Sequence, residues 1–274
     1  MNYRHSFHAG NVADVLKHIV LIHVLRALHK KETPFCVLDT HAGSGVYALG
    51  EKGEFEQGIA ALWSERDQWQ GLRDYFAVIE GVNEEGRLIR YPGSPVIIRN
   101  YLRPQDRAVF VELQPEEYQT LKANFSDAVN VCVHHVDAWS GLKGFVPPRE
   151  NRGVVLIDPP YEVANEFDRV LTAVRQGIKH WRNGIYLVWY PIKSRDLVQT
   201  FHQALRTLKL EAHAIEFMQY PDDVENRLNG SGMILINAPW GVMESLRELL
   251  PPLAKRLAGA SDGPAVRWVD LAGD

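Results

Sequence analysis

The sequence is short of cysteine, with two thiols, Cys36 and Cys132, in 274 residues. That leaves no disulfide framework and no Cys-x-x-Cys metal cluster, and it suits a chain kept in the reducing cytoplasm. Long apolar runs are missing too. Val15–Leu28 is interrupted by Lys17, His18 and His23 and falls short of the roughly 18 uncharged positions a membrane helix needs, so no membrane partner is expected. The opening Met1-Asn2-Tyr3-Arg4-His5 is polar, without an apolar segment ahead of a small-residue cleavage site, which argues against export. Net charge is weak: 30 Lys and Arg oppose 34 Asp and Glu, giving −4 with histidine neutral. This excludes a protein that grips polyanions by bulk charge; any polyanion must be held locally. Repeats and low-complexity tracts are absent. What is present, 46% hydrophobic and 23% charged residues, can bury a substantial core.

Between Asn11 and Lys30 the apolar Val12, Val15, Leu16, Ile19, Val20, Ile22 and Leu25 recur at helical spacing. They predict an amphipathic helix capped by Asn11 after the breaker Gly10. Seven short apolar runs follow: Phe35–Leu38, Ala108–Val111, Val129–Val133, Val154–Ile157, Ile185–Trp189, Ala212–Met218 and Met233–Ile236. Each is bounded by turn residues and reads as a strand. Helical stretches such as Glu116–Asn124, Glu166–Trp181 and Arg195–Leu208 lie between them. The alternation predicts an α/β fold, an open doubly wound sheet of mostly parallel strands with helices on both faces. Polar Gln219–Gly232 joins the last two runs without a helical pattern, so those strands are expected to pair antiparallel at one edge. Within it Gly230-Ser231-Gly232 reads as a flexible turn, since a hydrolase elbow needs G-x-S-x-G between strand and helix. Met243–Leu257 reads as a helix kinked or restarted at Pro251-Pro252, with a loosely held tail after Gly259. Trp240 is assigned to packing.

Run one ends in Leu38-Asp39-Thr40-His41-Ala42-Gly43-Ser44-Gly45. A glycine turn at the carboxyl end of a first strand lets backbone approach a nucleotide, although a plain tight turn looks the same. His41 stands where a third glycine normally would. The acidic residue that binds ribose hydroxyls usually ends strand two about 20 residues later; here the first such residue is Glu112, 73 positions after Asp39. About 50 residues are therefore inserted. Ser94-Pro95, with Val96, Ile97, Ile98, Tyr101 and Leu102 behind it, reads as N-cap, first position and apolar stripe of the helix that should have followed the loop. Residues 51–93 are then an inserted helical subdomain within one domain spanning 1–274. Trp63, Trp69, Leu72, Tyr75, Phe76 and Ile79 form its apolar face. Its five basic residues against nine carboxylates do not support a polyanion grip by the whole insert.

Run four ends in Asp158-Pro159-Pro160-Tyr161, a string expected by accident in about one such chain in a thousand. The prolines fix two φ angles and remove two donors, leaving a stiff turn with carbonyl acceptors facing outward. Asp158 adds an acceptor-only carboxylate, and Tyr161 an aromatic plate on which a base can stack. The trio suits the exocyclic amine of an adenine. That amine's lone pair is delocalised into the ring, so it becomes nucleophilic only when acceptors take its two N–H groups. Asp158 and the Pro159 carbonyl would be those acceptors. Orientation and transition-state stabilisation matter more than a strong base, because the proton becomes acidic as the new N–C bond forms. A base reached this way is turned out of any stack, and Tyr161 would hold it. A proline-stiffened turn that merely ends a strand is the plainer alternative.

The glycine loop, the acidic end of strand two and Asp158-Pro159-Pro160-Tyr161 resemble those of class I S-adenosylmethionine-dependent amino-methyltransferases. Tyr3-Arg4-His5-Ser6-Phe7-His8-Ala9-Gly10-Asn11 with Asp14, Lys17 and His18, then Asp39–Gly45 and Gly230-Ser231-Gly232-Met233, are similar to the bacterial 23S ribosomal RNA adenine-N6 methyltransferases of the J type. That likeness covers essentially the whole chain. It implies a Rossmann-like seven-stranded sheet, mostly parallel with an antiparallel last strand, and S-adenosyl-L-methionine as cofactor. It also implies 23S ribosomal RNA, naked or partly assembled, as substrate, with N6 of adenine 2030 as the target. The enzyme would be a cytoplasmic monomer without a metal. His18, His41 and Gly43 would line the cofactor site, and Ser94 would reach it from the start of its helix. Glu112 would hold the ribose hydroxyls and Asp137 the adenine amine of the cofactor; Ala138 beside it leaves a main-chain contact possible. Asp158, with Pro159 and Tyr161, would be catalytic, and Asp158 would also border the cofactor. Tyr3 and Lys17 would meet the RNA or close the site.

Other readings stay open at the level of residues. Adenine in DNA would also suit the tetrapeptide. A nicotinamide-dependent oxidoreductase shares the fold class, but the glycine fingerprint of this chain is incomplete for one, and its acidic net charge weighs against a non-catalytic RNA-binding module. Glu112 and Asp137 could simply cap the helices after their strands, and His18 could be a partly exposed helix-face histidine. His134-His135 is no metal pair, because neighbouring strand residues point to opposite faces. Lys30-Lys31, Arg99, Arg103 and Arg107 are the candidates for phosphate contacts. Cys36 and Cys132 would flank strand two about 9.6 Å apart, as free thiols.

Overall fold

In the computed structural model, which describes residues 5–84, 86–222, 224, 227–257 and 265–273, a single turn α1 (His5–His8) leads into the long helix α2 (Val12–His29). Asn11 caps α2 as expected, its side chain accepting from the Asp14 amide at 2.9 Å. The amphipathic reading of α2 is corrected: twelve of its 18 residues are buried, including the unbroken run His18–Ile22. A helix that is apolar all round belongs inside a protein, and the next segment roofs this one. β1 (Cys36–Asp39) runs into the glycine loop, and β2 (Val46–Ala48) pairs antiparallel with β3 (Arg90–Pro92). Between β2 and β3 lie α3 (Ile59–Trp63), α4 (Arg73–Gly81) and short 3-10 turns. Ile59, Leu62, Tyr75, Phe76 and Ile79 from this stretch share one apolar cluster with α2 and with Val37, Phe110 and Leu156 of the sheet. The core therefore continues from the sheet through α2 into residues 51–93.

The rest alternates: α5 (Ser94–Asn100), β4 (Arg107–Glu112), α6 (Pro115–Asn124), β5 (Val131–His135), α7 (Ala138–Phe145), β6 (Gly153–Ile157), α8 (Glu166–His180), β7 (Ile185–Ile192), α9 (Arg195–Arg206), β8 (Ala212–Met218), β9 (Gly230–Ile236), α10 (Val242–Leu257) and β10 (Val266–Asp270). The sheet order is β5-β4-β1-β6-β7-β9-β8-β10. β5, β4, β1, β6 and β7 are parallel, while β9 runs antiparallel to β7 and β8 and β10 antiparallel to β8. The doubly wound class and the antiparallel strand agree with expectation. The count does not: among the described residues the sheet has eight strands, not seven. Val266–Asp270, taken for loose tail, pairs along β8, and Arg267 is held there by Asp222 at 2.6 Å. Its mixture of polar and apolar residues hid it from a search for apolar runs. β9 is also not at the edge, since it threads between β7 and β8.

Gly230-Ser231-Gly232 opens β9 rather than forming a turn. A Cβ on Gly232 would fall 2.0 Å from Tyr190 Cζ, the close approach that glycine in a strand allows. Tyr190 Oη lies 3.2 Å from Glu216 Oε1 and 2.9 Å from His202 Nε2. Two further readings are corrected: β5 begins two residues later than expected, leaving Val129 fully exposed, and Trp240 is 90% exposed with Lys30 Nζ 5.7 Å from its ring. α10 runs through Pro251 and Pro252 without a restart. Arg103 and Arg107, offered as phosphate contacts, are engaged by Asp106 at 2.7 Å and Glu150 at 2.9 Å around the start of β4. Cys36 and Cys132 are free thiols on the two neighbours of β4. His134 packs on Phe145 and His135 on Tyr118. No helix of the described residues is long and apolar enough to cross a membrane.

Gly232→Ala forces the Tyr190 ring to move and is expected to cost about 1–3 kcal/mol, read from the midpoint of urea unfolding. An unchanged midpoint would show that the ring has room to shift.

Candidate active site

Parallel order brings the carboxyl ends of β5, β4, β1 and β6 side by side, the edge at which open α/β sheets bind ligands. Asp39 ends β1, Glu112 ends β4, Asp137 follows β5 and Asp158 follows β6. α2 crosses this edge through Lys17. The Lys17 ammonium bonds Asp158 Oδ2 and, on its other side, Asp14 Oδ1 at 2.8 Å. Burial works against the charge of Lys17, but the two carboxylates outweigh it and hold its pKa well above the usual lysine value. Asp39 is wholly buried; it accepts from Ser94 Oγ at 2.6 Å and from the His41 amide at 3.3 Å. Burial pushes its pKa up to about 7, and the charge of Asp158 adds to the rise. Ser94 is not the N-cap of α5, a place that Gly93 takes; its hydroxyl is turned to Asp39 instead.

The glycine loop is locked to strand two. Gly43 has φ +61°, and a Cβ there would lie 1.9 Å from Tyr47 Oη, so the position needs glycine. Its amide donates to Glu112 Oε2 at 2.8 Å while the Gln114 amide donates to Oε1 at 2.7 Å. The Glu112 carboxylate is thereby fixed in place. His41 Nδ1 lies 2.8 Å from Thr40 Oγ1, and its ring meets Trp139 edge-on. His18 is 1% exposed, which corrects the exposed helix-face alternative. Its Nδ1 pairs with Tyr91 Oη at 2.9 Å, whereas Nε2 is buried without a partner among the described residues. Burial pushes the pKa of each histidine down to about 3, so both are neutral at physiological pH.

Asp137 caps α7, accepting from the Ser140 amide at 3.0 Å, and remains 38% exposed beside Arg169. Pro159 is buried and Pro160 exposed. Tyr161 is half-buried at φ +51°; its hydroxyl donates to the Trp189 carbonyl at 2.9 Å and its ring packs on Phe167 and Trp189. Tyr3 lies outside the described residues. The structure thus gathers Lys17, His18, His41, Gly43, Ser94, Glu112, Asp137 and Asp158 around one edge. Sequence reading passed over Asp39, Asp14, Trp139 and Arg169. Asp39 carried the same signal as Glu112, a carboxylate at the end of a strand, and Asp14 lies one helical turn before Lys17. Trp139 and Arg169, whose guanidinium sits 5.2 Å over the Trp139 ring, follow from the packing of α7 on α8 and had no signal.

Such an edge, with Asp-Pro-Pro-Tyr after the fourth strand of a Rossmann-like sheet, is that of a class I methyltransferase. Comparison with known proteins narrows the class. A family model described as ribosomal RNA large subunit methyltransferase D, RlmJ, matches residues 32–270. The ribosomal RNA large subunit methyltransferase J of Haemophilus influenzae is 40% identical over 277 residues, covering 98% of this chain and 99% of the relative. Its Escherichia coli K12 counterpart is 39% identical over 276 residues, with coverage of 98% and 99%. Among solved structures, protein LPL1258 of Legionella pneumophila superposes with a TM-score of 0.90 at 32% identity, over 97% of this chain and 99% of the other. The chain belongs to the RlmJ family of ribosomal RNA large subunit methyltransferases.

Asp39 yields a stability test. In the unfolded chain it titrates near 3.8, in the folded chain near 7. Between those values the folded state keeps a proton that the unfolded state releases, so the group lowers stability progressively as pH rises from about 4 to 7. Asp39→Asn, which cannot ionise, is expected to gain on the wild type across that window, by up to about 1.4 kcal/mol per pH unit. Urea unfolding of both proteins at pH 4.5, 6 and 7.5 measures this (about 1.5 units per step); a constant difference would contradict the assignment.

Proposed function

We propose that this methyltransferase transfers the methyl group of S-adenosyl-L-methionine to N6 of an adenine in 23S ribosomal RNA, with adenine 2030 as the target implied by the family. Asp158 carries the reading: a carboxylate on a proline-stiffened turn, at the ligand edge of the sheet and within reach of α2. It would accept one N–H of the target amine and the Pro159 carbonyl the other, localising the nitrogen lone pair for in-line attack. The cofactor supplies an electrophilic methyl group on a sulfonium. Residues of the edge suit such a ligand. Glu112 is oriented by two backbone amides and keeps acceptor capacity for ribose hydroxyls. His18 Nε2 is a buried polar atom that wants a partner, while His41, Gly43, Ser94 and Asp137 complete the wall. Lys17 and Tyr3 would face the RNA. Residues 51–93 would be an inserted subdomain of a single domain, and the enzyme a cytoplasmic monomer. The names of the full-length relatives favour RNA over the DNA reading.

Tritiated methyl transfer to naked 23S transcript, to partly assembled subunits and to duplex DNA tests the substrate; incorporation into RNA alone is expected. Asp158→Ala is expected to lower turnover by a factor of at least about 10²–10³ while calorimetric affinity for S-adenosylhomocysteine stays within a few fold. Wild-type turnover in that variant would refute the role of Asp158, and absence of binding at millimolar ligand would refute the cofactor.

A further inference from the structure

Lys17 holds two carboxylates at once: Asp158, the proposed acceptor of the target amine, and Asp14, three residues earlier on α2. Asp14 is itself fixed, since its Oδ2 accepts from the Gly10 amide at 2.9 Å and its own amide is capped by Asn11. Both side chains of the Asp14–Lys17 pair are largely shielded, 21% and 12% exposed. An ammonium on Asp158 Oδ2 occupies acceptor capacity that a target N–H would draw on, so lysine and adenine would compete for the same carboxylate. Were Asp158 the only partner of Lys17, opening the pair would strand a cation in a poorly solvated place, at high cost. Asp14 removes that obstacle, because Lys17 can release Asp158 and stay neutralised. Burial alone would raise the pKa of Asp14 and lower that of Lys17; the charge and hydrogen bond of Lys17 reverse the first, and those of Asp14 together with Asp158 reverse the second, so the three groups meet as ions at neutral pH.

We propose that Lys17 is a latch over Asp158, and that Asp14 is the positioning residue that receives the ammonium when the target amine arrives. The inference rests on Asp158 as acceptor. It requires no change in the chemistry of transfer, only a change of partner by one cation.

Steady-state methyl transfer to naked 23S transcript by the full chain tests it, with the wild type, Asp14→Asn, Asp14→Glu, Lys17→Met and the Asp14→Asn/Lys17→Met double variant. Asp14→Asn keeps an acceptor for Gly10 but loses the receiving charge. Its RNA KM is expected to rise about tenfold with kcat changed less, and adding Lys17→Met to bring KM back to within about threefold of Lys17→Met alone. Asp14→Glu, which restores the charge, is expected to recover most of the loss. The rescue distinguishes a latch from a structural role, because removing a second buried partner does not mend a damaged helix. A wild-type KM in Asp14→Asn, or a double variant as impaired as Asp14→Asn, overturns the proposal. Should the Asn variant unfold, Asp14→Thr takes its place with the same expectations. Asp158→Ala run in parallel separates the two failures: activity surviving there removes the acceptor, whereas activity lost there with no rescue at Asp14 removes only the latch.

Discussion

The burial of α2 is the constraint on which the rest of the structure depends. A helix buried over most of its surface brings Asp14, Lys17 and His18 to a place where water solvates them poorly, so each must find a partner inside the protein. Asp14 and Lys17 find each other, and Lys17 finds Asp158 across the sheet edge. His18 finds Tyr91, which leans on Tyr75 at 2.8 Å. Both tyrosines come from the long segment between the glycine loop and α5. The segment therefore has a structural purpose that its acidity does not reveal: it packs on α2 and supplies the hydroxyl that meets His18. Without the roof the apolar outer side of α2 would face solvent, and the helix would have no reason to hold Lys17 where it does.

Around Lys17 the site is anionic. Asp14 and Asp158 bracket a single ammonium, and Asp39, kept from water by burial and near the charge of Asp158, holds its proton up to about pH 7. An edge of this kind is hospitable to a cationic ligand and hostile to a phosphate. In the proposed reading the RNA backbone would run outside it, while a base would enter alone. The arginines at the start of β4 are not available for the backbone, being committed to Asp106 and Glu150.

Much of the fold was legible because buried parallel strands are written as unbroken apolar runs, and all seven runs begin or end within a residue or two of observed strands. The cap at Asn11 followed from local chemistry. β10 and the β2–β3 ribbon were not legible, since edge and ribbon strands keep polar residues on their open side and give no run to count. Gly230-Ser231-Gly232 misled for a related reason: glycine signals a turn by propensity, but here it records the bulk of Tyr190 on the neighbouring strand, which only tertiary structure places there. At the site, Glu112, Asp137 and Asp158 could be found because strand ends converge in any such sheet. The pairing of Asp14 with Lys17 and Asp158 depends on how deep α2 sits, and no periodicity encodes that depth.

The backbone at Tyr161 shows how far the surrounding structure is committed to one geometry. A bulky residue at φ +51° is strained, by about 1–3 kcal/mol, and persists only where its surroundings over-determine it. Here they do so twice, through the hydroxyl bonded to the Trp189 carbonyl and through the ring set between Phe167 and Trp189. Phe167 passes the constraint to Phe201, and Phe201 to Tyr190. Tyr190 is seated over Gly232 and close to Glu216, which Arg195 holds at 2.7 Å while also binding Asp222, the partner of Arg267 on β10. The strand missing from the sequence reading and the glycines mistaken for a turn are thus at the far end of the chain of contacts that fixes Asp158-Pro159-Pro160-Tyr161. If transfer works by orienting a weak nucleophile, small misplacements of the acceptors cost rate steeply, and a turn held by packing as far away as the sheet's last strand is the physical form that such a requirement takes.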